Sequence, residues 1–319
     1  MIDIIDVAPL GRTLLGAGAG LRWTGAEPRA LADRLGLSAE HMADSPLELV
    51  VPVSRPDAEP LAQAREFRRV ADALRAVLGD ATHLGAHGHT RPFGRRTDPV
   101  WGRPFLRWCE DGTTLELRAG AAGPELVLQP TGPWEEWYAL SGTGFTGTLE
   151  SSGQELDHPN WEGHGDDWES LRSSLGAFLR TLPAETVALG VAHSMPLYGM
   201  IDDRGPLLFD IVCDDRLFLG FTEYQVRAQA TGEHAAALGW TRRESLPPGH
   251  LTHALDGEPP WRVAAGGPGE VDAPEMSALL VRTARAAGVA GPGDLILGGE
   301  GEFRHPYRFR FPGLAMRVG

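Results

Sequence analysis

The chain has 319 residues, 42% of them hydrophobic and 23% charged, with a formal net charge of −14, a balance that fits a globular protein long enough for two domains. That acidity argues against nucleic acid and anionic membrane as partners, since both select a basic surface. No apolar run approaches the roughly 20 residues a membrane helix needs.

Lysine is absent and every basic side chain is Arg. A Schiff-base lysine and a phosphate loop ending Gly-Lys-Ser/Thr are therefore excluded. Met1-Ile2-Asp3-Ile4-Ile5-Asp6 carries acids where a secretory signal carries positive charge, so the expected location is cytoplasmic. Cys109 and Cys213 each sit inside an apolar, strand-like run, as small buried thiols do. Their spacing makes neither a disulfide framework nor a zinc motif.

Leu15 to Gly20 reads Leu-Gly-Ala-Gly-Ala-Gly. A dinucleotide fingerprint needs a strand before it and a helix opening at its third glycine. Leu21-Arg22-Trp23 follows instead, so the expectation is a flexible Gly-rich turn. Pro28 to Leu37 predicts a short helix with Leu31 and Leu35 on one face. Leu47 to Val53 reads as a strand whose Pro52 end lies at a sheet edge. Ala58 to Leu78 is strongly amphipathic: Phe67, Val70, Ala71, Leu74, Val77 and Leu78 share one face, and Gly79 is a natural stop.

Ala81 to Gly102 reads as a loop carrying His83, His87 and His89. Folded tightly, it would bring three imidazoles to one zinc or nickel ion; otherwise the histidines are simply solvated. Pro104 to Pro130 predicts a three-strand meander turning at Asp111-Gly112. Leu115 and Leu117 alternate with polar neighbours, which implies one buried and one wet sheet face. Trp134, Trp137 and Tyr138 form the densest aromatic cluster, and such a cluster either anchors a protein interface or closes a small core. Leu140 to Gly165, rich in Gly, Ser and Thr, reads as an interdomain linker. It holds His158, Glu162 and His164, with Asp166 and Asp167 next, all of them groups able to bind a cation.

In the second half, Asp166 caps a helix in capping-box spacing with Glu169, and Trp168, Leu171, Leu175, Phe178, Leu179 and Leu182 follow on one face. Pro183 is expected to stop that helix and Thr186 to Ala192 to be a strand. Pro206 to Cys213 and Arg216 to Phe221 predict a hairpin around Asp214-Asp215. His193-Ser194 with Asp210 has the residue types of a triad, but Ser194 lacks the Gly-x-Ser-x-Gly elbow and cannot easily be reached by an adjacent imidazole. Glu233 to Leu238 is a short helix, Trp261-Arg262-Val263 a short strand, and Asp272 caps a last helix that ends at Gly288. Asp294 to Leu297 closes as a strand. The aromatic, Arg-rich tail from Phe303 either adds an edge strand or packs on another subunit.

Two resemblances emerge from these residues. Leu21-Arg22-Trp23, Arg29 to Gly36, Leu78-Gly79-Asp80-Ala81-Thr82, Leu106-Arg107-Trp108 and Thr114 to Leu117 together resemble a small actinobacterial family of unknown function. Trp168 to Pro183, Ala236-Ala237-Leu238-Gly239-Trp240 and Leu280 to Val289 resemble actinobacterial domains related to type III secretion chaperones. The resemblance implies an α+β protein of two tandem domains, each an antiparallel sheet with helices packed on one face. The domains would be residues 1–140 and 166–319, joined by a linker at 141–165. It also implies binding of a segment of another protein, commonly as a homodimer.

The functional expectation is thus a non-enzymatic protein-binding module, a chaperone-like adaptor or immunity-type protein with no cofactor, whose acidic surface suits a basic partner. Its alternative is a metal-dependent enzyme using His83, His87 and His89 or the His158/His164 segment.

Overall fold

The computed structural model describes residues 7–18, 21, 27–35, 38–40, 48–55, 58–87, 101–131, 143–152, 167–200, 207–221, 232–242, 261–298, 303–304, 306–311, 314 and 316–318. The chain is an α+β protein with two sheets. It divides into two units. The first is Met1–Pro159 with Val187–Gly190 and Phe303–Phe309; the second is Asn160–Thr186, Val191–Glu302 and Arg310–Gly319.

In the first unit, α1 (Val7–Gly18), α2 (Glu27–Leu35) and α3 (Pro60–Leu78) accompany β1 (Ser38–Glu40), β2 (Glu48–Pro52), β3 (His83–His87), β4 (Pro104–Glu110), β5 (Thr113–Gly120), β6 (Gly123–Pro130) and β7 (Thr143–Leu149). The tail contributes β14 (Phe303–Arg304) and β15 (Tyr307–Arg310). Among the described residues these strands run in the order β1-β2-β6-β5-β4-β3-β7-β15-β14. The amphipathic reading of α3 holds. Glu59 caps it through the amides of Leu61 and Ala62, Phe67, Val70, Ala71 and Leu74 are buried, and Gly79 leaves the helix at φ 78°.

Four expectations for this half are corrected. The Gly-rich stretch is the end of α1 rather than a turn, because Gly11 and Gly18 let the helix lie close on its neighbours. A Cβ at Gly11 would run into Leu74, and one at Gly18 into Thr113, whose hydroxyl donates to the Gly18 carbonyl at 2.9 Å. His83 to His87 is a buried central strand rather than loop, paired to β4 on one side and β7 on the other. The second face of the meander is not wet: Thr114 and Glu116 are buried along with Leu115 and Leu117. Part of the expected linker is strand β7, whose glycines serve packing. A Cβ at Gly147 would stand 2.7 Å from the Phe309 ring.

The second unit builds on α4 (Trp168–Leu189), α5 (Gly232–Leu238) and α6 (Ala273–Ala287). Its strands are β8 (His193–Gly199), β9 (Leu207–Cys213), β10 (Leu217–Phe221), β11 (Thr241–Arg242), β12 (Trp261–Gly266), β13 (Leu295–Leu297) and β16 (Arg317–Val318). Among the described residues the order is β11-β12-β10-β9-β8-β13-β16. Pairing is antiparallel along β1-β2-β6-β5-β4-β3-β7, in β14 with β15 and along β11-β12-β10-β9-β8-β13, and parallel in β13 with β16. The predicted hairpin at Asp214-Asp215 is present, as is the Asp272 cap, which accepts from the Glu275 amide, and the Gly288 stop at φ 100°. The tail adds edge strands, the first of the two roles expected for it.

At the start of α4, Asp167 accepts the amides of Glu169 and Ser170, each at 2.8 Å; Asp166, expected as the cap, lies outside the described residues. Pro183 does not end the helix, which runs on to Leu189, so no strand begins at Thr186. An interior proline costs about 3 kcal/mol. Here Leu182, Ala184, Ala188 and Leu189 are all buried, and each large apolar side chain so placed returns about 1.5–3 kcal/mol. The helices cover one face of this sheet. Thr186 donates to Cys213 Sγ at 3.6 Å, and Trp240 stacks on Phe221 while its indole N–H donates to Thr283 at 2.9 Å. Among the described residues no helix is long and apolar enough to cross a membrane.

Candidate functional site

The alternation of strands β2 to β7 sorts the first sheet into two faces. Leu49, Leu126, Leu128, Leu115, Leu117, Leu106, Trp108 and Leu84 share one with the helices. Register fixes what lies on the other: His83 stands opposite Arg107, Arg107 opposite Glu116, Arg118 opposite Glu125, and Thr114 opposite Gln129. This second face is ionic and still buried. Glu116, 3% exposed, accepts from Arg107 Nε at 2.9 Å. The Gln129 carboxamide fits with its oxygen accepting from Arg107 Nη2 at 2.8 Å and its nitrogen donating to Glu48 Oε1 at 3.3 Å. Arg118 donates to Glu125 at 2.6 Å and stands 3.6 Å from Glu48.

Burial works against the charge of Glu116, but the Arg107 guanidinium, then His87 and Arg118, outweigh it and hold the carboxyl well below the usual carboxylate range. Burial also works against Arg118, and there Glu116, Glu125 and Glu48 outweigh it and raise its pKa. Carboxylates and guanidiniums thus answer one another across the face. That is the arrangement a buried charge requires, and it explains why an alternating strand pattern does not have a wet side here.

Of the three histidines expected on one ion, His83 and His87 are placed and His89 lies outside the described residues. His83 is wholly buried in mid-sheet between Arg107 and Thr148. His87, at the end of β3, stacks on Phe105 with ring centroids 4.5 Å apart, and its Nε2 is 3.7 Å from Glu116 Oε1. Four residues of strand separate their Cα atoms by about 13 Å, and the two rings have different neighbours. Among the described residues no group of three His, Cys, Asp or Glu side chains is placed to hold a metal ion. Trp134, Trp137, Tyr138, His158, Glu162 and His164 lie outside the described residues.

The second sheet presents a different surface on the side away from its helices. In β8 the odd positions His193, Met195 and Leu197 are buried, and the even positions Ser194, Pro196 and Tyr198 are half-buried. Adjacent His193 and Ser194 therefore face opposite ways, so they form no catalytic pair. Register carries the outer face across the sheet. Ile296 lies beside Tyr198, Val212 beside Ser194, Phe218 beside Val212, and Ala264 beside Phe218. All are half-buried except Ala264, which is exposed. Gly298 makes room for the Tyr198 ring: a Cβ there would run into its edge.

Among the described residues one carboxylate sits within this face, Asp210, between Pro196 on β8 and Gly220 on β10. Ser194 Oγ donates to its Oδ1 at 3.2 Å. Arg262, next in line beyond Gly220, lays its guanidinium 3.8 Å from the centroid of the Phe218 ring rather than in ion-pair contact with Asp210. Burial pushes the Asp210 carboxyl above the ordinary aspartate range, against smaller opposing effects of Ser194 and Arg262. The signal for Asp210 is visible in the sequence as a lone acid inside Leu207-Leu208-Phe209-Asp210-Ile211-Val212-Cys213. Glu116 and Arg107 carry no such signal, since charges alternating with leucines read as an ordinary solvated strand face.

Comparison with protein-family models, with curated proteins and with solved structures finds no match to the chain.

Proposed function

We propose that this chain is a non-enzymatic protein-binding module, a chaperone-like adaptor or immunity-type protein that works in the cytoplasm by holding a segment of another protein. The observation that carries this reading is the outer face of the second sheet, where the apolar side chains of Tyr198, Pro196, Ile296, Val212 and Phe218 are half-buried. Apolar side chains on a sheet face are what a protein interface uses at its centre. The net charge of −14 favours a basic partner and speeds its capture. The charged face of the first sheet supports the same reading, because its guanidiniums and carboxylates are engaged with one another and so serve the fold.

The test is affinity capture from the native host with the full chain and with Val212→Asp and Ile296→Asp variants, each checked for an unchanged thermal transition. The expected result is a protein enriched by the parent and lost with both variants. Enrichment of nothing over a control, or of the same proteins by all three chains, overturns the proposal.

A further inference from the structure

We draw no further inference here: the strongest candidate, the buried ionic face of the first sheet around Arg107, Glu116 and Arg118, has its charges engaged with one another, and nothing among the described residues shows what covers it.

Discussion

Replacing Glu116 by Gln keeps the shape of the side chain and removes its charge. The carboxylate is 3% exposed, accepts from Arg107 Nε at 2.9 Å, and lies 3.7 Å from His87 Nε2. An ion pair about 4 Å apart is worth about 4 kcal/mol at an effective dielectric of about 20. Removing one partner leaves the Arg107 and Arg118 guanidiniums without their central counter-charge in a buried setting, and that typically costs about 3–5 kcal/mol. The expected result is a loss of that size in denaturant unfolding of the first unit, or about 10 °C in its thermal transition.

The pH dependence has a definite sign. A carboxyl with a depressed folded pKa contributes stability that is complete above its unfolded pKa and is lost as pH falls below it. The parent should therefore lose stability steadily as pH drops below the ordinary glutamate range, and Glu116→Gln should show a shallower decline. The double variant Arg107→Met/Glu116→Leu should recover most of the loss, since well-packed apolar residues often replace a buried pair at little cost. A Glu116→Gln protein within about 1 kcal/mol of the parent, with an unchanged acid limb, would refute the reasoning.

Gly85→Ala should destabilise the first unit by about 1–3 kcal/mol, because a Cβ there meets the Phe145 carbonyl and stands 3.0 Å from Thr146 Cα, both backbone of β7; an unaltered unfolding midpoint would mean that β3 and β7 are not so closely paired. Asp210→Asn should leave stability at neutral pH the same or higher by up to about 1 kcal/mol. Burial raises the folded pKa of Asp210, so its unfavourable contribution is present above that pKa and fades as pH falls through it; a marked loss of stability at neutral pH would contradict this. Cys213 is fully buried and burial pushes its thiol up, whereas Cys109 is half-buried. A thiol reagent should therefore label Cys109 in the native protein and Cys213 only on unfolding, and equal native rates would contradict the packing of β9.

Much of the local structure was legible in the sequence. The inner face of α3, the Asp272 and Gly288 ends of α6, the meander β4 to β6 and the hairpin β9–β10 all follow from period, caps and turn residues, which act over a few positions. Glycine was harder to read. Gly11, Gly18, Gly85 and Gly147 suggest flexible chain when taken locally, but each lies where another element approaches too closely for a side chain. Proline misled in the same way at Pro183, where one lost hydrogen bond is offset by burial of the residues that follow it.

Period also assigns Glu116, Arg107 and His83 to one face of their strands and Asp210, Val212 and Phe218 to one face of theirs. It does not decide which of those faces is buried. That depended on pairings such as His83 with Thr148, and Leu217 with Gly266, between residues far apart in the chain. Those pairings place Arg107 against Glu116 so that a charged face is able to leave water, and they put Asp210 among apolar side chains with Ser194 donating to it. Side-chain alternation is a property of a few consecutive residues, whereas desolvation is set by everything that packs around them.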